Sequence, residues 1–140
     1  MKKQTLTLVG VLSLLLVTGS AFAQNIRVQS DIPFQFVIDK DTLPAGHYSI
    51  QSVGAPDGRT LLIREDSGKT LRFVTTHSVE SRDSAKQTKL VFKRYGMRYF
   101  LSEVWVAGND SGHQLRKSPR EQEMALDYQP SQVVVMASLR

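Results

Sequence analysis

The chain has 140 residues, contains no cysteine and carries a formal net charge of +5 at pH 7. The lack of cysteine excludes a disulfide framework, a thiolate nucleophile, a thiolate-bound metal and a lipid anchor at a lipoprotein cleavage site. The moderate excess of positive charge favours solubility and a mild attraction to anionic surfaces, but it does not identify a partner.

The N-terminal residues have the pattern of an export signal. Lys2 and Lys3 supply a positively charged start, and the run from Leu6 to Val17 is almost entirely apolar. Ala21-Phe22-Ala23 then matches the small-x-small pattern of a cleavage site. Because the apolar run is short and a cleavage pattern follows it, a cleaved signal is favoured over a membrane anchor.

We therefore expect residues 1–23 to be a signal peptide that is cleaved near Ala23-Gln24. Residues 24–140 are then expected to form a single β-rich domain without a transmembrane segment. The mature protein would be periplasmic or secreted, and it is long enough to bury one core.

Turn signals alternate with β-rich segments through most of the mature chain, which is typical of a sandwich or a barrel. We predict a mainly β fold: a single antiparallel β-sandwich or barrel-like domain of about eight strands. The segments that carry the strand pattern are 33–38, 47–53, 59–65, 70–79, 89–95, 98–106 and 132–137.

The clearest hairpin joins residues 89–95 to 98–106 through Gly96-Met97. Glycine in the first position of a two-residue loop predicts a type II′ turn. Both strands carry apolar residues on both faces, so the ribbon is expected to be covered on both sides. In an uninterrupted register, one face would hold Leu90, Phe92, Leu101 and Trp105, and the other Val91, Tyr95, Phe100 and Val104.

One short C-terminal helix is predicted over residues 119–128, before the last strand. Ser118 fits an N-cap, Pro119 the first helical position, and Glu121 the acidic member of a capping box. Pro130 ends the helical pattern.

The stretch EDSGKT, Glu65 to Thr70, contains two apparent catalytic motifs. Its Asp-Ser-Gly triplet, which recurs at Asp110, is that of aspartic proteases, but each copy follows a polar residue and the chain is too short for a two-lobed enzyme. A phosphate-binding loop would need glycine where Ile63 stands, and a helix after Thr70. We predict a turn, since Asp, Ser and Gly favour turns.

Basic and aromatic residues alternate in KRYGMRYF, Lys93 to Phe100. The segment departs from the RNA-binding motif that it superficially matches at Arg94 and Arg98, and export also argues against a nucleic-acid partner. The segment is favoured as a hairpin tip whose long basic side chains cover apolar surface. A contact surface for a protein or for an anionic surface of the cell envelope is the alternative. Its candidate residues are Lys93, Arg94, Tyr95, Arg98, Tyr99, Arg116, Lys117 and Arg120.

The chain has three histidines, and they lack the spacing of metal ligands. His77 is the weak site candidate, because its strand parity matches Leu71 and Phe73 and a carboxylate partner would make it reactive. His47 and His113 are read as a solvated strand residue and a loop residue. We predict no catalytic residue, no cofactor and no metal.

The segments IPFQFVIDKDTLPAGHYSI, KLVFKRYGMRYFLSEVW and QLRKSPREQEM resemble those of a family of small exported bacterial proteins. The resemblance covers most of the mature chain. That family has no assigned activity, so the resemblance implies a β-rich architecture and an export destination, but no mechanism.

Three functions remain open from the sequence. The leading hypothesis is a non-catalytic exported β-domain that acts through binding or assembly. The alternative is a small-ligand carrier, which would need an apolar cavity of ~300 Å³ or more. A hydrolase that acts through His77 and a carboxylate is the least favoured, because no positioned nucleophile is visible.

Overall fold

The computed structural model describes residues 25–54 and 57–140, and the predicted signal peptide lies outside the described residues. Strands hold 56% of the described residues and helix 8%, which confirms the mainly β prediction. The elements are β1 (Arg27–Ile32), β2 (Phe36–Ile38), β3 (Asp41–Leu43), β4 (Gly46–Val53), β5 (Thr60–Glu65), β6 (Leu71–Glu80), β7 (Lys89–Tyr95), β8 (Arg98–Trp105), β9 (Ser111–Leu115), α1 (Pro119–Asp127), β10 (Ser131–Met136) and β11 (Ser138–Leu139).

The 11 strands form one open, mixed sheet. Its order is β10-β7-β8-β9-β6-β5-β4-β1-β11, and β2 and β3 attach beside β8. The described pairings are antiparallel except that of β2 with β8, where Phe36 lies opposite Tyr99 and Val37 opposite Phe100. The structure thus has more strands than the predicted eight, its sheet is not purely antiparallel, and it does not confirm a sandwich.

The strands that the sequence pattern missed are short or polar. β3 has three residues and β11 has two, too few for any period to show. β9 reads Ser-Gly-His-Gln-Leu, and β1 carries polar residues at alternate positions. These segments are strands because their neighbours supply pairing partners, which no local pattern reports.

A long strand and the C-terminal segment connect distant parts of the sheet. The first half of β6 pairs with β5 and its second half with β9. Only Ala137 separates β10, which pairs with β7, from β11, which pairs with β1. The two ends of the strand order are therefore neighbours along the chain.

Aromatic side chains fill the middle of the main core. The ring of Phe36 meets Tyr48 and Phe92 edge to face, with centroids 5.1 Å and 5.5 Å away. Each of these rings is at most 1% exposed. The Tyr48 hydroxyl donates to the Pro44 carbonyl at 2.6 Å, so its polar end is satisfied. Such rings bury large apolar areas, and their burial stabilises the interior.

A β-bulge changes the predicted faces of the hairpin. Val91 lies opposite Glu103 and Phe92 opposite Leu101, so Ser102 is the extra residue. Beyond it the side chains of β8 exchange faces. Val104 therefore joins the main core, whereas Trp105 lies on the outer face, and the predicted positions of these two residues are wrong.

Near the turn, α1 covers the outer face of the hairpin, where the apolar pattern predicted a covering element. Tyr95 and Phe100 form a small buried cluster with Val37, and Met124 packs on it. Ser118 caps the helix, since its hydroxyl oxygen accepts from the Glu121 N–H at 3.2 Å. The helix thus begins where predicted and ends at Asp127, one residue earlier than expected.

Candidate contact surface at the β7–β8 turn

The hairpin turn is built on glycine geometry. Gly96 has a φ of 58°, whereas Met97 does not have a positive φ, and this sign pattern is that of the predicted type II′ turn. The ring of Tyr128 packs over the turn, 3.5 Å from where a Cβ on residue 96 would lie; that is an ordinary contact distance, so the backbone φ and not space favours glycine. The turn presents Met97 outward, with 83% of its surface exposed.

A column of stacked side chains connects the turn to the core. Arg94 lies opposite Tyr99 in the ribbon, and its guanidinium carbon is 5.5 Å from the centre of that ring. Tyr99 stacks on Phe34 with ring centroids 3.9 Å apart, and Phe34 meets Phe92 edge to face at 5.0 Å. These contacts hold Arg94 and Tyr99 in fixed positions at the surface.

A groove of about 430 Å³ runs beside this column. Phe34, Met97, Arg98 and Tyr99 line it, and Arg120 reaches it from α1. Among the described residues, no carboxylate lies within 4.0 Å of Arg94, Arg98 or Arg120. We name Arg94, Met97, Arg98, Tyr99 and Arg120 the tip surface.

Tyr95 is not available at this surface, because its side chain is fully buried. Its hydroxyl donates to Glu121 Oε1 at 3.0 Å. Burial and the adjacent Glu121 carboxylate raise the pKa of Tyr95 to about 12. Burial also raises the pKa of Glu121, although the bond from Tyr95 opposes this. Glu121 thus faces the ribbon, and its carboxylate is committed to Tyr95.

The other predicted contact residues do not join the groove. Lys93 is half-buried and Lys117 exposed, and both are close enough to Glu121 to oppose the rise of its pKa. Arg116 is exposed and lines a separate cleft of about 290 Å³ together with Asp39 and Phe73. Arg98, Tyr99 and Arg120 are therefore the predicted residues that the fold brings together at one groove.

His77 lies on an exposed strand face. Phe73, which shares this face, is 63% exposed, and Leu71 is 42% exposed. His77 Nε2 is 3.1 Å from Gln114 Oε1, and no carboxylate lies within 4.0 Å of the imidazole among the described residues. The buried face of β6 carries Val74 and Thr76 instead.

The histidine that meets carboxylates is His47. Its Nδ1 contacts Asp31 Oδ1, and its Nε2 is 3.5 Å from Asp66 Oδ2. The hydrogen bond with Asp31 raises the pKa of His47. Both carboxylates are largely exposed, and the described residues contain no group of three or more His, Asp or Glu side chains that could hold a metal. This arrangement is a surface ion pair.

The EDSGKT stretch is the turn between β5 and β6, as predicted. Gly68 has a φ of 74°, and its N–H donates to the Glu65 carbonyl at 2.8 Å. The Asp66 N–H donates to the His47 carbonyl at 3.0 Å, which ties the turn to β4.

The sequence predictions missed Phe34 and Met97 as members of the groove. Phe34 alternates with Phe36 in the sequence, and this alternation was the available signal. Met97 carries no signal of its own, because a turn residue is exposed whatever its role.

Within the described ranges, no helix has the length and apolar character that crossing a membrane requires. The comparisons with known proteins give no match for this chain among family models, curated proteins or solved structures. The resemblance to small exported bacterial proteins remains an expectation from the sequence.

Proposed function

We propose that the protein is a non-catalytic exported binding domain that attaches, through its tip surface, to the anionic lipid head groups of the cell envelope. The observation that carries the proposal is the exposed Met97 beside Arg94, Arg98 and Arg120. An apolar tip and adjacent cations suit the boundary between lipid phosphates and acyl chains.

Charge supplies most of the expected affinity. Each cation near an anionic lipid surface contributes about 1 kcal/mol, so the three arginines together contribute about 3 kcal/mol. Arg94 also donates to the Gly96 carbonyl at 2.8 Å, so its charge is held at the turn. A surface with this composition gives weak, reversible and salt-dependent attachment.

The filled interior argues against the apolar carrier. Phe36, Tyr48 and Phe92 meet ring to ring where a carrier would hold its ligand. The hydrolase has less support, because His77 meets the neutral amide of Gln114. We further propose that the open sheet curls into a barrel-like body, since its terminal strands β10 and β11 are consecutive in the chain.

Vesicle co-sedimentation tests the proposed attachment. We expect the purified protein to bind vesicles of phosphatidylcholine with phosphatidylglycerol, and to leave pure phosphatidylcholine vesicles unbound. The charge reversals Arg98→Glu and Arg120→Glu together should weaken binding at least tenfold, or ~1.4 kcal/mol. Raised salt should weaken wild-type binding in the same way.

The matched control reverses two other exposed cations, Arg82→Glu and Lys86→Glu, on the loop before β7. It changes the net charge equally and leaves the tip surface intact. Equal loss of binding in both double variants, or wild-type binding that does not depend on phosphatidylglycerol, would contradict the proposal. Stable capture of a protein partner that survives the Arg98 and Arg120 reversals would also contradict it.

A further inference from the structure

A second pocket, of about 410 Å³, lies at the end of β8 opposite the hairpin turn. Its floor includes Ile26 and Val104, which belong to the main core. Its walls come from β6, β9 and the turns around Arg59 and Asn109. We name it the end pocket. Its volume is within the ~300–1,000 Å³ typical of small-molecule sites.

A chain of hydrogen bonds fixes the tautomer of His113 in this pocket. The Thr76 hydroxyl donates to the Arg59 carbonyl at 2.8 Å, which uses its only proton. His113 Nδ1 lies 3.1 Å from the same hydroxyl oxygen, a longer contact than the 2.8 Å to the carbonyl, and we infer that Nδ1 carries a proton and donates it. Burial lowers the pKa of His113, which favours the neutral ring. The proton of the neutral ring is therefore on Nδ1, and Nε2 has a free lone pair.

We infer that this lone pair faces the pocket. Among the described residues, no protein donor meets Nε2, and no buried side-chain nitrogen or oxygen lacks a partner. With respect to the described residues Nε2 is therefore exposed, and His113 lines the end pocket. The ring thus offers one oriented acceptor above an apolar floor.

The rest of the pocket is polar without being charged. Ser78, Asn109 and Ser111 add hydroxyl and amide groups to its wall. The two charged residues of the lining neutralise each other, since Arg59 Nε lies 3.7 Å from Asp57 Oδ2. An anion would find no free cation here, and a purely apolar ligand would leave the polar groups unpaired.

We propose that the end pocket binds a small neutral polyhydroxylated molecule, of the size of one sugar ring. A ligand hydroxyl donates to His113 Nε2, and further hydroxyls bond to Ser78, Asn109 and Ser111. The C–H face of the ring packs on Ile26, Val104 and Val106. This site is separate from the tip surface and does not depend on the function proposed for it.

Nuclear magnetic resonance of the imidazole nitrogens tests the tautomer inferred for His113. We expect His113 of the intact protein to show a protonated Nδ1 and an unprotonated Nε2 at neutral pH. His77, whose Nε2 contacts an amide oxygen, should show the opposite tautomer and serves as the internal control. A proton on His113 Nε2 would remove the acceptor and overturn the proposal.

Titration of the protein with small molecules tests binding. Methyl glucoside, N-acetylglucosamine and inositol are the neutral probes, and glucuronate is an anionic control of similar size. At least one neutral probe should saturably shift the amide signals of His113 and Asn109, and glucuronate should bind several-fold more weakly. Asn109→Ala, which keeps the backbone bonds of that turn, and His113→Phe should each weaken binding about tenfold, or ~1.4 kcal/mol. His77→Phe should leave binding unchanged.

Saturable binding that survives both Asn109→Ala and His113→Phe would overturn the assignment of the site. So would a stronger response to glucuronate, or no response to any neutral probe at concentrations that detect millimolar affinity. Asn109→Ala keeps this test valid if His113→Phe does not fold.

Discussion

The two faces of the β7–β8 ribbon are held by different kinds of contact. The inner face packs Leu90, Phe92 and Leu101 into the main core, where the contacts are apolar and numerous. The outer face has only the small cluster of Val37, Tyr95 and Phe100, and directed contacts add to it, chiefly the Tyr95 hydroxyl bond to Glu121 and the Trp105 indole over Gly112.

This difference separates stability from the placement of the proposed binding surface. The inner contacts contribute through apolar area, which is large and non-directional. The bond between Tyr95 and Glu121 holds α1 against the ribbon, and α1 brings Arg120 to the groove beside Arg98. Changes to the inner face should therefore act mainly on folding, and on binding through the column of Phe92, Phe34 and Tyr99. Changes to the outer face should act on binding through α1 and Arg120.

The largest effect is expected from the inner face. Phe92→Ala removes a fully buried ring that contacts Phe34 and Phe36, and it should lower the free energy of unfolding by ~3–5 kcal/mol. The matched control is Phe73→Ala. Because Phe73 is 63% exposed, this change should lower the free energy of unfolding by less than about 1 kcal/mol. Urea denaturation measures both, and equal losses would contradict the assignment of the core.

A smaller effect is expected where Trp105 crosses β9. A Cβ on Gly112 would lie 2.7–2.9 Å from the indole, so Gly112→Ala must displace the ring and should weaken its 2.7 Å bond to Glu103. We expect a loss of about 1–3 kcal/mol and a shift in tryptophan fluorescence. Gly46→Ala is the control, because its Cβ would meet no atom closer than 3.6 Å. An unchanged emission spectrum in Gly112→Ala would show that Trp105 lies elsewhere.

The same contrast explains which features the sequence could predict. The hairpin, its glycine turn and the capped helix follow local rules, and their residues stand close together in the chain. The bulge at Ser102 follows no local rule, and one extra residue was enough to exchange the faces of Val104 and Trp105. Registers set by distant partners are not visible in a local pattern.

The candidate sites also divide into those that a local pattern could predict and those that depend on distant pairings. Arg98 and Tyr99 directly follow the predicted turn, so their place at the tip of the hairpin could be predicted. The parity of His77 with Leu71 and Phe73 was misleading, because that face of β6 is exposed. Thr76 and His113 are 37 residues apart and meet through the pairing of β6 with β9, so their bond had no sequence signal.

The buried hydroxyl of Tyr95 gives the next prediction. Tyr95→Phe leaves Glu121 without its donor, and we expect a loss of ~1–2 kcal/mol. Vesicle binding should weaken as well, because α1 and Arg120 are held less firmly. Tyr128→Phe is the control, since Tyr128 is 50% exposed. Full vesicle binding by Tyr95→Phe would indicate that the helix position does not matter for the tip surface.

The smallest effect is the pH dependence that Glu121 adds. Burial raises the pKa of Glu121 in the folded state above the ~4.3 of an unfolded chain. The folded state therefore binds the proton more tightly. The stability from this group is complete below the unfolded pKa and is lost as pH rises through the folded pKa.

Glu121→Gln removes this titration and keeps an oxygen that accepts from Tyr95. Unfolding measured across acidic to neutral pH should show the variant gaining stability relative to wild type as pH rises. The control is Glu123→Gln, at an exposed position on the same helix. Its curve of stability against pH should run parallel to that of the wild type. A Glu121→Gln curve that also runs parallel would mean that Glu121 is solvated, and that the outer face of the ribbon is held by apolar contact alone.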